Sequence, residues 1–278
     1  MGIDGVGVTP SGRSVGPPTA LALGLLHAAH ADGLRASLLV GNWGGPLGVS
    51  PSVAARLLAS SVNRVRVASV LADLVRAQGW NGVTVDLEML SSTDGPGLVA
   101  FAAALHARLP RGDLLAVDVA ACSSVAQDVA EGYRLALLAR VADVVLMAYD
   151  EHGPWSAPGP IGGLPWVERT IDVARSQLPS SRLELGNAAY GYRWPAGRLH
   201  RGSTSVTVGE ARQLAATTRH GPRWDAAMGE WTVRLRSRTV LWWSDSRSIA
   251  LRERVAKRLH LGGVAVWQLA TSDQLPAR

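Results

Sequence analysis

The sequence predicts an α/β fold, a (β/α)8 barrel of the TIM type. Short apolar segments typical of strands alternate with helical patterns along most of the chain, which is the mark of repeated βα units. No glycine-rich phosphate loop follows the first predicted strand, which disfavours a nucleotide-binding open sheet. Because the active sites of such barrels are assembled at the carboxyl ends of the strands, polar or aromatic residues at those ends favour the barrel. Six predicted strands have them: Asn42 with Trp43, Glu88, Asp118, Asp150, Tyr190 and Trp267.

Seven strands are predicted in all, near residues 5–8, 36–42, 83–88, 114–120, 143–149, 183–190 and 263–269. The helices between them are predicted near residues 18–32, 51–60, 63–78, 96–108, 131–140, 165–178 and 246–260. The helix at 63–78 illustrates the reasoning, since Val67, Leu71 and Leu74 recur at helical spacing and Gly79 follows as a stop.

Residues 191–245 interrupt the alternation. A helical stretch at 208–218 is followed by WTVRLR and TVLWWSD, which predict an antiparallel hairpin. We therefore expect one domain over residues 1–278, with a small α+β insertion at 191–245 before the last strand.

Composition excludes several classes of protein. The 278 residues, 47% of them hydrophobic, fit an α/β domain, and no run of about 18 apolar residues predicts a membrane span. Cys122 is the only cysteine, which excludes an intrachain disulfide framework and a cysteine metal site. The histidines lack ligand spacing, so we expect no metal and no cofactor.

The chain is basic, with a formal net charge of +6 and Lys257 as its single lysine. An arginine-rich surface could favour an acidic polymer or an anionic cell wall. The competing explanation is a GC-rich genome that prefers arginine codons, and the abundance of Ala, Gly and Val supports it. No nucleic-acid-binding motif is present, so nucleic acid is not an expected partner.

The segment GVTVDLE carries two carboxylates on one face of an apolar strand. Side chains alternate along a strand, so Thr84, Asp86 and Glu88 share a face while the valines point the other way. Buried carboxylates are costly, and each can raise the pKa of the other, which keeps an acid protonated near neutral pH. The alternative is a strand end whose acids meet water or an arginine.

Four separated segments resemble glycoside hydrolase family 18. GVTVDLE at 82–88 resembles the family's Asp-Gly-x-Asp-x-Asp-x-Glu motif, with the last Asp and the Glu kept as Asp86 and Glu88. Residues 146–160 are similar to the family's Met-x-Tyr-Asp segment, and residues 185–194 to its Tyr-Gly motif. Residues 262–273 are similar to its last strand, which ends in tryptophan. Residues 224–267 also resemble the spore-cortex-lytic, YaaH/SleL-like N-acetylglucosaminidase branch.

The resemblance implies a retaining glycosidase in which the substrate's own acetamide is the nucleophile. It assigns Glu88 as the general acid, and Asp86 as the anion that binds the acetamide N–H and stabilises the oxazolinium intermediate. Tyr149 would donate to the acetamide oxygen, Asp150 would help bind the sugar, and Trp267 would form the apolar floor beneath it. Asn42, Tyr190 and Tyr192 are the further candidates for lining the substrate cleft.

The chain departs from the family at two motif positions, where Asn81 and Thr84 replace aspartates. Loss of the acid at position 84 is expected to change the rate and the pH profile without abolishing activity. Only seven strands are predicted, and GVGV at 5–8 aligns best with the family's second strand. We therefore expect that the first βα unit is absent because the chain is truncated or its start codon is placed too late.

Two functions from different classes fit the sequence. The first is hydrolysis of β-linked N-acetylglucosamine in peptidoglycan or chitin-like glycans; the second is sugar binding by a catalytically weak or inactive, lectin-like member. An unrelated barrel hydrolase is a third alternative. We expect a monomer with a polysaccharide partner. A signal peptide lost upstream would make it secreted or cell-wall associated; otherwise a cytoplasmic location is expected.

Overall fold

The computed structural model of the chain describes residues 1–44, 48–196 and 202–275, apart from the side chain of Asp4. Contacts divide the chain into two compact units. The first comprises Met1–Val145 and Gln177–Arg182, and the second comprises Leu146–Ser176 and Leu183–Arg278. Residues 197–201 of the predicted insertion lie outside the described residues.

The first unit is built from βα repeats. Its strands are β1 (Gly2–Gly7), β2 (Ser37–Gly41), β3 (Gly82–Asp86), β4 (Leu114–Ala120) and the beginning of β5 (Asp143–Met147). Its helices are α1 (Ala20–Ala31), α2 (Pro51–Ala59), α3 (Ser61–Gln78), α4 (Gly95–His106), α5 (Val125–Ala130) and α6 (Leu135–Leu138). Strands β1 to β4 pair in parallel in chain order, which is the predicted arrangement.

Local sequence signals explain where α3 begins and ends. The Ser60 hydroxyl accepts a hydrogen bond from the N–H of Asn63 at 3.2 Å and caps the amino end. At the carboxyl end, Gly79 has φ +83° and its N–H donates to the carbonyl of Val75, as the predicted glycine stop requires. The buried face of α3 is apolar, so its packing holds the helix in place directly before β3.

The predicted helix at 131–140 is wrong in its extent. Of the predicted residues, only the four of α6 are helical; the separate helix α5, which was not predicted, ends at Ala130, and Gly132 lies between the two helices with φ +81°. A Cβ at Gly132 would lie 2.6 Å from the carbonyl oxygen of Ser91, so only glycine fits this turn. The helical periodicity of the sequence carries no information about that close approach.

The second unit contains two sheets. Strands β6 (Leu183–Ala188) and β12 (Gly263–Trp267) pair in parallel. A separate antiparallel sheet has the order β8-β7-β11-β10-β9, formed by β7 (Tyr190–Trp194), β8 (Thr204–Thr207), β9 (Arg223–Asp225), β10 (Glu230–Arg234) and β11 (Val240–Trp243). The helices are α7 (Leu164–Arg175), α8 (Val208–Ala216) and α9 (Ser246–Arg258).

The α+β insertion is confirmed, and its predicted hairpin is the pair of β10 and β11. The predicted strand at 183–190 is too long, because the main chain changes partner at Ala189. The N–H of Ala189 donates to the carbonyl of Trp267 in the parallel pair, whereas the carbonyl of Tyr190 accepts from Ser244, next to β11. Strand β7 therefore belongs to the insertion sheet.

Within the described part of the chain, none of the helices has the length and apolar character that crossing a membrane would require.

Candidate active site

The predicted acid pair lies at the carboxyl end of β3 in the first unit. Asp86 is the last residue of the strand and is 8% exposed, while Glu88, two residues later, is partly exposed. Val83, Val85 and Leu87 are buried, so the predicted alternation of faces continues through Glu88. This arrangement keeps one carboxylate largely away from solvent and leaves the other accessible.

Asn42 contacts the main chain of Glu88. It follows β2, and the last residue of β2, Gly41, pairs with Asp86 across the sheet. The Asn42 Nδ2 donates to the carbonyl of Glu88 at 3.0 Å, and its Oδ1 accepts from the N–H of Glu88 at 3.0 Å. The side chain of Asn42 is fully buried, at 0% exposure, and Nδ2 also donates to the carbonyl of Ser50.

The two family departures take part in local hydrogen bonds. The hydroxyl of Thr84 shares a hydrogen bond of 2.9 Å with the hydroxyl of Ser37 on β2. Asn81, just before β3, accepts through Oδ1 from the N–H of Ala36 at 2.9 Å, and its Oδ1 lies 3.1 Å from Nε2 of His30. Thr84 thus links β3 to β2, and Asn81 links the start of β3 to the residue before β2. Neutral side chains are sufficient for these hydrogen bonds.

Tyr133 is a buried residue near the acid pair that sequence reasoning missed. Burial raises the pKa of its phenol, and the negative charges of Glu88 and Asp86 raise it further. The hydroxyl is therefore neutral across the physiological range. A single tyrosine in an irregular segment between two short helices offers no sequence signal, because only the tertiary packing brings it near β3.

A tyrosine–aspartate cluster lies in the second unit. Asp150 follows β5 with φ +61°, and its Oδ1 accepts from the hydroxyls of Tyr190 at 2.5 Å and Tyr192 at 3.2 Å. Burial raises the pKa of Asp150 above its ordinary value, although the two hydrogen bonds oppose that shift. Burial and the neighbouring Asp150 in turn raise the pKa of Tyr190, so both tyrosines are neutral donors.

Tyr149 joins this cluster through its ring. Its ring meets that of Tyr190 edge to face, with centroids 6.5 Å apart and an interplanar angle of 75°. A Cβ on Gly186 would lie 2.6 Å from the carbonyl oxygen of Leu146 and 3.2 Å from Cε1 of Tyr149, so the glycine permits the close approach of the main chain and of the ring. The Tyr149 side chain is half-buried.

A concave pocket of about 260 Å³ brings several predicted residues together in the second unit. Asp150, Tyr190, Tyr192 and Trp267 all line it. Trp267, at the end of β12, is 37% exposed, which is high for a large aromatic side chain and leaves part of the indole free to stack on a ligand. Gln268 and Thr271, which follow Trp267, complete this side of the pocket.

The insertion supplies a polar wall to the same pocket, which the sequence analysis did not foresee. The wall consists of Ser205, Thr207 and Glu210. Thr207 and Glu210 form a capping box at the start of α8, and hydrogen bonds from Thr207 lower the pKa of Glu210. The Thr-x-x-Glu spacing signals a helix start, whereas its position beside the pocket depends on the tertiary fold.

A buried ion pair anchors the loop after Asp150. The Glu230 carboxylate accepts from the N–H groups of Ile161 at 2.7 Å and Gly162 at 2.9 Å, and it pairs with Arg252 at 2.9 Å. Arg252 also donates to the carbonyls of Gly162 and Gly229. Since both side chains are almost fully buried, these contacts connect β10, α9 and the loop in the interior of the second unit.

Among the residues that the structure describes, no group of three or more His, Cys, Asp or Glu side chains is arranged to hold a metal ion. The chemistry that these groups offer is that of proton transfer and hydrogen bonding.

Comparison with known proteins connects these features to one family. Residues 24–272 match the profile of the Glycosyl hydrolases family 18. The chain is 26% identical over 229 residues to the Bacillus subtilis (strain 168) glycosylase YdhD, covering 80% of this chain and 54% of YdhD. It is 29% identical over 138 residues to a cortical fragment-lytic enzyme of the same strain, covering 46% of this chain and 31% of that enzyme. The chain thus spans about half the length of YdhD.

A solved structure shows the same fold. The crystal structure of a chitinase from Chromobacterium violaceum matches with a TM-score of 0.84 and 26% identity, over 98% of this chain and 87% of the chitinase chain. This similarity confirms the predicted fold class. The matches also confirm the resemblance to the family and to its spore-cortex-lytic branch. The chain belongs to glycoside hydrolase family 18.

Proposed function

We propose that this chain cleaves β-linked N-acetylglucosamine in peptidoglycan or chitin-like glycans by retaining, substrate-assisted catalysis. The observation that carries the proposal is the difference in solvent exposure between the two retained motif acids at the end of β3. Asp86 is largely buried and Glu88 is partly exposed, which suits an anion that stays in place and an acid that reaches a substrate.

In the proposed reaction, Glu88 donates its proton to the glycosidic oxygen as the bond from that oxygen to the anomeric carbon breaks. The carbonyl oxygen of the substrate acetamide forms the new bond to that carbon, giving an oxazolinium ion whose positive charge Asp86 stabilises. Water then opens the ion while Glu88 takes up its proton. Two displacements at one carbon retain its configuration, and no enzyme nucleophile is used.

The second unit supplies the proposed sugar-binding groups. The resemblance to the family assigns Tyr149 as the donor to the acetamide oxygen and Trp267 as the floor under the sugar ring. Asp150 is held by Tyr190 and Tyr192 at hydrogen-bond distance, which supports a fixed acceptor for the acetamide or a sugar hydroxyl. The exposed part of the Trp267 indole supports the stacking role.

Three further facts support the proposed substrate class. One relative is a cortical fragment-lytic enzyme, which favours peptidoglycan, and another match is a chitinase, which favours chitin. The basic net charge of +6 suits an anionic polymer. Peptidoglycan is therefore the first choice, with chitin-like glycans second.

Glu88→Gln tests the assignment of the acid. Glutamine keeps the size of the side chain and cannot donate a proton as an acid does, so we expect turnover of a chromogenic chitobioside and of purified peptidoglycan to fall by about 100- to 10,000-fold. Glu131→Gln is the matched control, because it makes the same change at a partly exposed position of the same unit, at the carboxyl end of α5. The control is expected to retain wild-type turnover.

The other outcomes distinguish the competing functions. Activity that survives in Glu88→Gln overturns the assigned acid. Saturable sugar binding without turnover in the wild type favours the lectin-like alternative. A thiazoline that mimics the oxazoline intermediate is expected to inhibit the wild type, and an active enzyme that ignores it would contradict substrate assistance.

A further inference from the structure

The main chain of Glu88 is held by one side chain on both of its polar groups. Asn42 Oδ1 accepts from the N–H of Glu88 and Nδ2 donates to its carbonyl, each at 3.0 Å. A primary amide is the smallest side chain that offers an acceptor and a donor side by side, so it can pair with a peptide as a second strand would. Glu88 lies two residues beyond the end of β3, which closes at Asp86.

The residue after Glu88 shows why this support is needed. Met89 has φ +54°, a left-handed conformation that is unfavourable for a residue other than glycine. Met89 is also exposed, so little packing holds it in that conformation. The carbonyl that Asn42 binds belongs to the peptide between Glu88 and Met89, and fixing that peptide fixes the turn. Strained residues persist where surrounding contacts over-determine them.

Asn42 is itself fixed on its other side. Its Nδ2 also donates to the carbonyl of Ser50, and its own carbonyl accepts from the N–H of Ser50 at 2.7 Å. Ser50 directly precedes α2, so Asn42 is held between the end of β2 and the start of this helix. With 0% exposure, Asn42 cannot touch a glycan in this structure, in contrast to the cleft-lining role that the sequence suggested.

We propose that Asn42 is a positioning residue, which sets the direction of the Glu88 side chain by clamping the Glu88 main chain. This inference rests on the proposed function for its catalytic consequence, because only a working acid makes the direction of Glu88 matter. The physical statement, that Asn42 holds the Glu88 peptide in place, stands independently of any turnover.

Asn42→Leu tests the proposal, since leucine has the same number of side-chain heavy atoms in the same branched arrangement and no hydrogen-bonding group. Displacing a catalytic group by about 1 Å costs up to about 100-fold in rate, so we expect kcat on a chromogenic chitobioside to fall between about tenfold and 100-fold. KM is expected to stay unchanged, because Asn42 does not reach the glycan. A substrate-contacting residue would instead raise KM.

Asn81→Leu is the matched control for loss of stability alone. It is the same substitution just before β3, at the end of that strand opposite to Glu88, and it also removes a main-chain hydrogen bond, the one to Ala36. We expect Asn81→Leu to lower the melting temperature and leave kcat unchanged. Equal losses of kcat in both variants would overturn the positioning role.

Hydrogen exchange of single amides, measured by NMR, tests the clamp without any substrate. In Asn42→Leu we expect the Glu88 amide to exchange about tenfold faster, because its acceptor is gone, while Val83 and Val85 within β3 stay protected. Unchanged protection of Glu88 overturns the proposal, whatever the kinetics show.

The two measurements also separate the proposals from each other. A wild type that turns over no glycan defeats the proposed function, and the exchange of the Glu88 amide then decides on the clamp alone. If the wild type is active and Asn42→Leu leaves kcat unchanged, the positioning role is overturned, even if the Glu88 amide exchanges faster. Loss of kcat with a faster Glu88 amide supports the inference.

Discussion

Asp150 combines features that oppose stability. Its main chain is left-handed, its side chain is partly buried, and the shorter of its two hydrogen bonds comes from Tyr190. Left-handed residues that are not glycine are often Asn or Asp, which tolerate this conformation best. Groups with this kind of strain and burial are concentrated at functional sites. The left-handed main chain and the burial of Asp150 therefore suit its proposed role as a sugar-binding acceptor.

We predict that Asp150→Asn stabilises the fold at neutral pH. Burial raises the pKa of Asp150, so the folded chain holds this proton at pH values where the unfolded chain has lost it. The contribution of Asp150 to folding is therefore favourable only at low pH, and it is lost as the pH rises from the ordinary carboxyl value of 3.8 through the raised pKa. Asparagine keeps the acceptor for both tyrosines without the buried charge.

The measurement is the melting temperature of both proteins from pH 3 to pH 8. The gain of Asp150→Asn is expected at neutral pH and should vanish towards the acid end. The exposed Asp32→Asn serves as the control and should show no such pH-dependent gain. A difference in melting temperature that stays constant with pH would contradict the assigned cause.

At the scale of elements, the loop after β5 depends on contacts from distant parts of the sequence. Glu151 Oε2 accepts from the N–H of Gly163, and Glu230 accepts from the next N–H groups towards the amino end, those of Gly162 and Ile161. Arg252, from α9, completes the network by pairing with Glu230. The insertion and α9 therefore hold in place a loop that begins at the Tyr149–Asp150 segment.

We predict that removing one partner of the Glu230–Arg252 pair is costly. Arg252→Met leaves the Glu230 carboxylate buried without its counter-charge, and such losses are typically about 3 to 5 kcal/mol of unfolding free energy. Glu230→Leu combined with Arg252→Met removes both charges and should cost less than the sum of the two single changes. Urea unfolding of the three variants measures this coupling.

Arg258→Met supplies the exposed comparison, because Arg258 pairs with Glu168 at the surface, where about 1 kcal/mol or less is expected. Equal losses for Arg258→Met and Arg252→Met would show that burial does not control the cost. Strict additivity in the double variant would show that the two buried groups act separately.

At the scale of the whole molecule, the net charge of +6 bears on the choice of glycan. Attraction between a basic protein and an anionic polymer is screened by salt, since the Debye length falls from about 30 Å at 0.01 M to about 3 Å at 1 M. Attraction to a neutral chitin fragment has no such component. The salt dependence of turnover therefore separates the two proposed substrates.

We predict that kcat/KM on purified peptidoglycan falls as sodium chloride is raised, while kcat/KM on a neutral chitooligosaccharide stays level. The ratio of the two rates across a salt series is the quantity to measure. The neutral substrate controls for effects of salt on the protein itself. Identical salt dependence on both substrates would favour arginine codon preference as the reason for the charge.

Much of the fold was predictable because periodicity reports burial directly. Strand β4 occupies the predicted residues 114–120, and α3 begins and ends within two residues of its prediction. The failures lie where a single close contact decides. The left-handed Gly132 stands where a helix was predicted to begin, and Ala189 ends a predicted strand because its neighbours bond to different sheets. Local sequence patterns do not encode such distant partners.

The candidate site was predictable to a smaller degree. Asp86 and Glu88 have a clear signal, because two carboxylates on one face of an apolar strand need a reason to be there. Tyr133 and Glu230 have none, since each is a single residue whose neighbours are distant in sequence. The site residues proposed from the family motifs remain predictions until the variants are measured.

The sequence by itself determined the parallel βα repeats, the α+β insertion, the spacing of the acid pair at the end of β3 and, through its motifs, the family. These depend on spacing within short segments, where strand and helix geometry dictate which side chains share a face. Only the tertiary structure decided that Asn42 clamps the main chain of Glu88, that Ser205, Thr207 and Glu210 line a pocket with Trp267, and that Glu230 is buried against Arg252. The physical reason is that hydrogen bonds and ion pairs form between groups that folding brings within about 3 Å, whatever their separation along the chain.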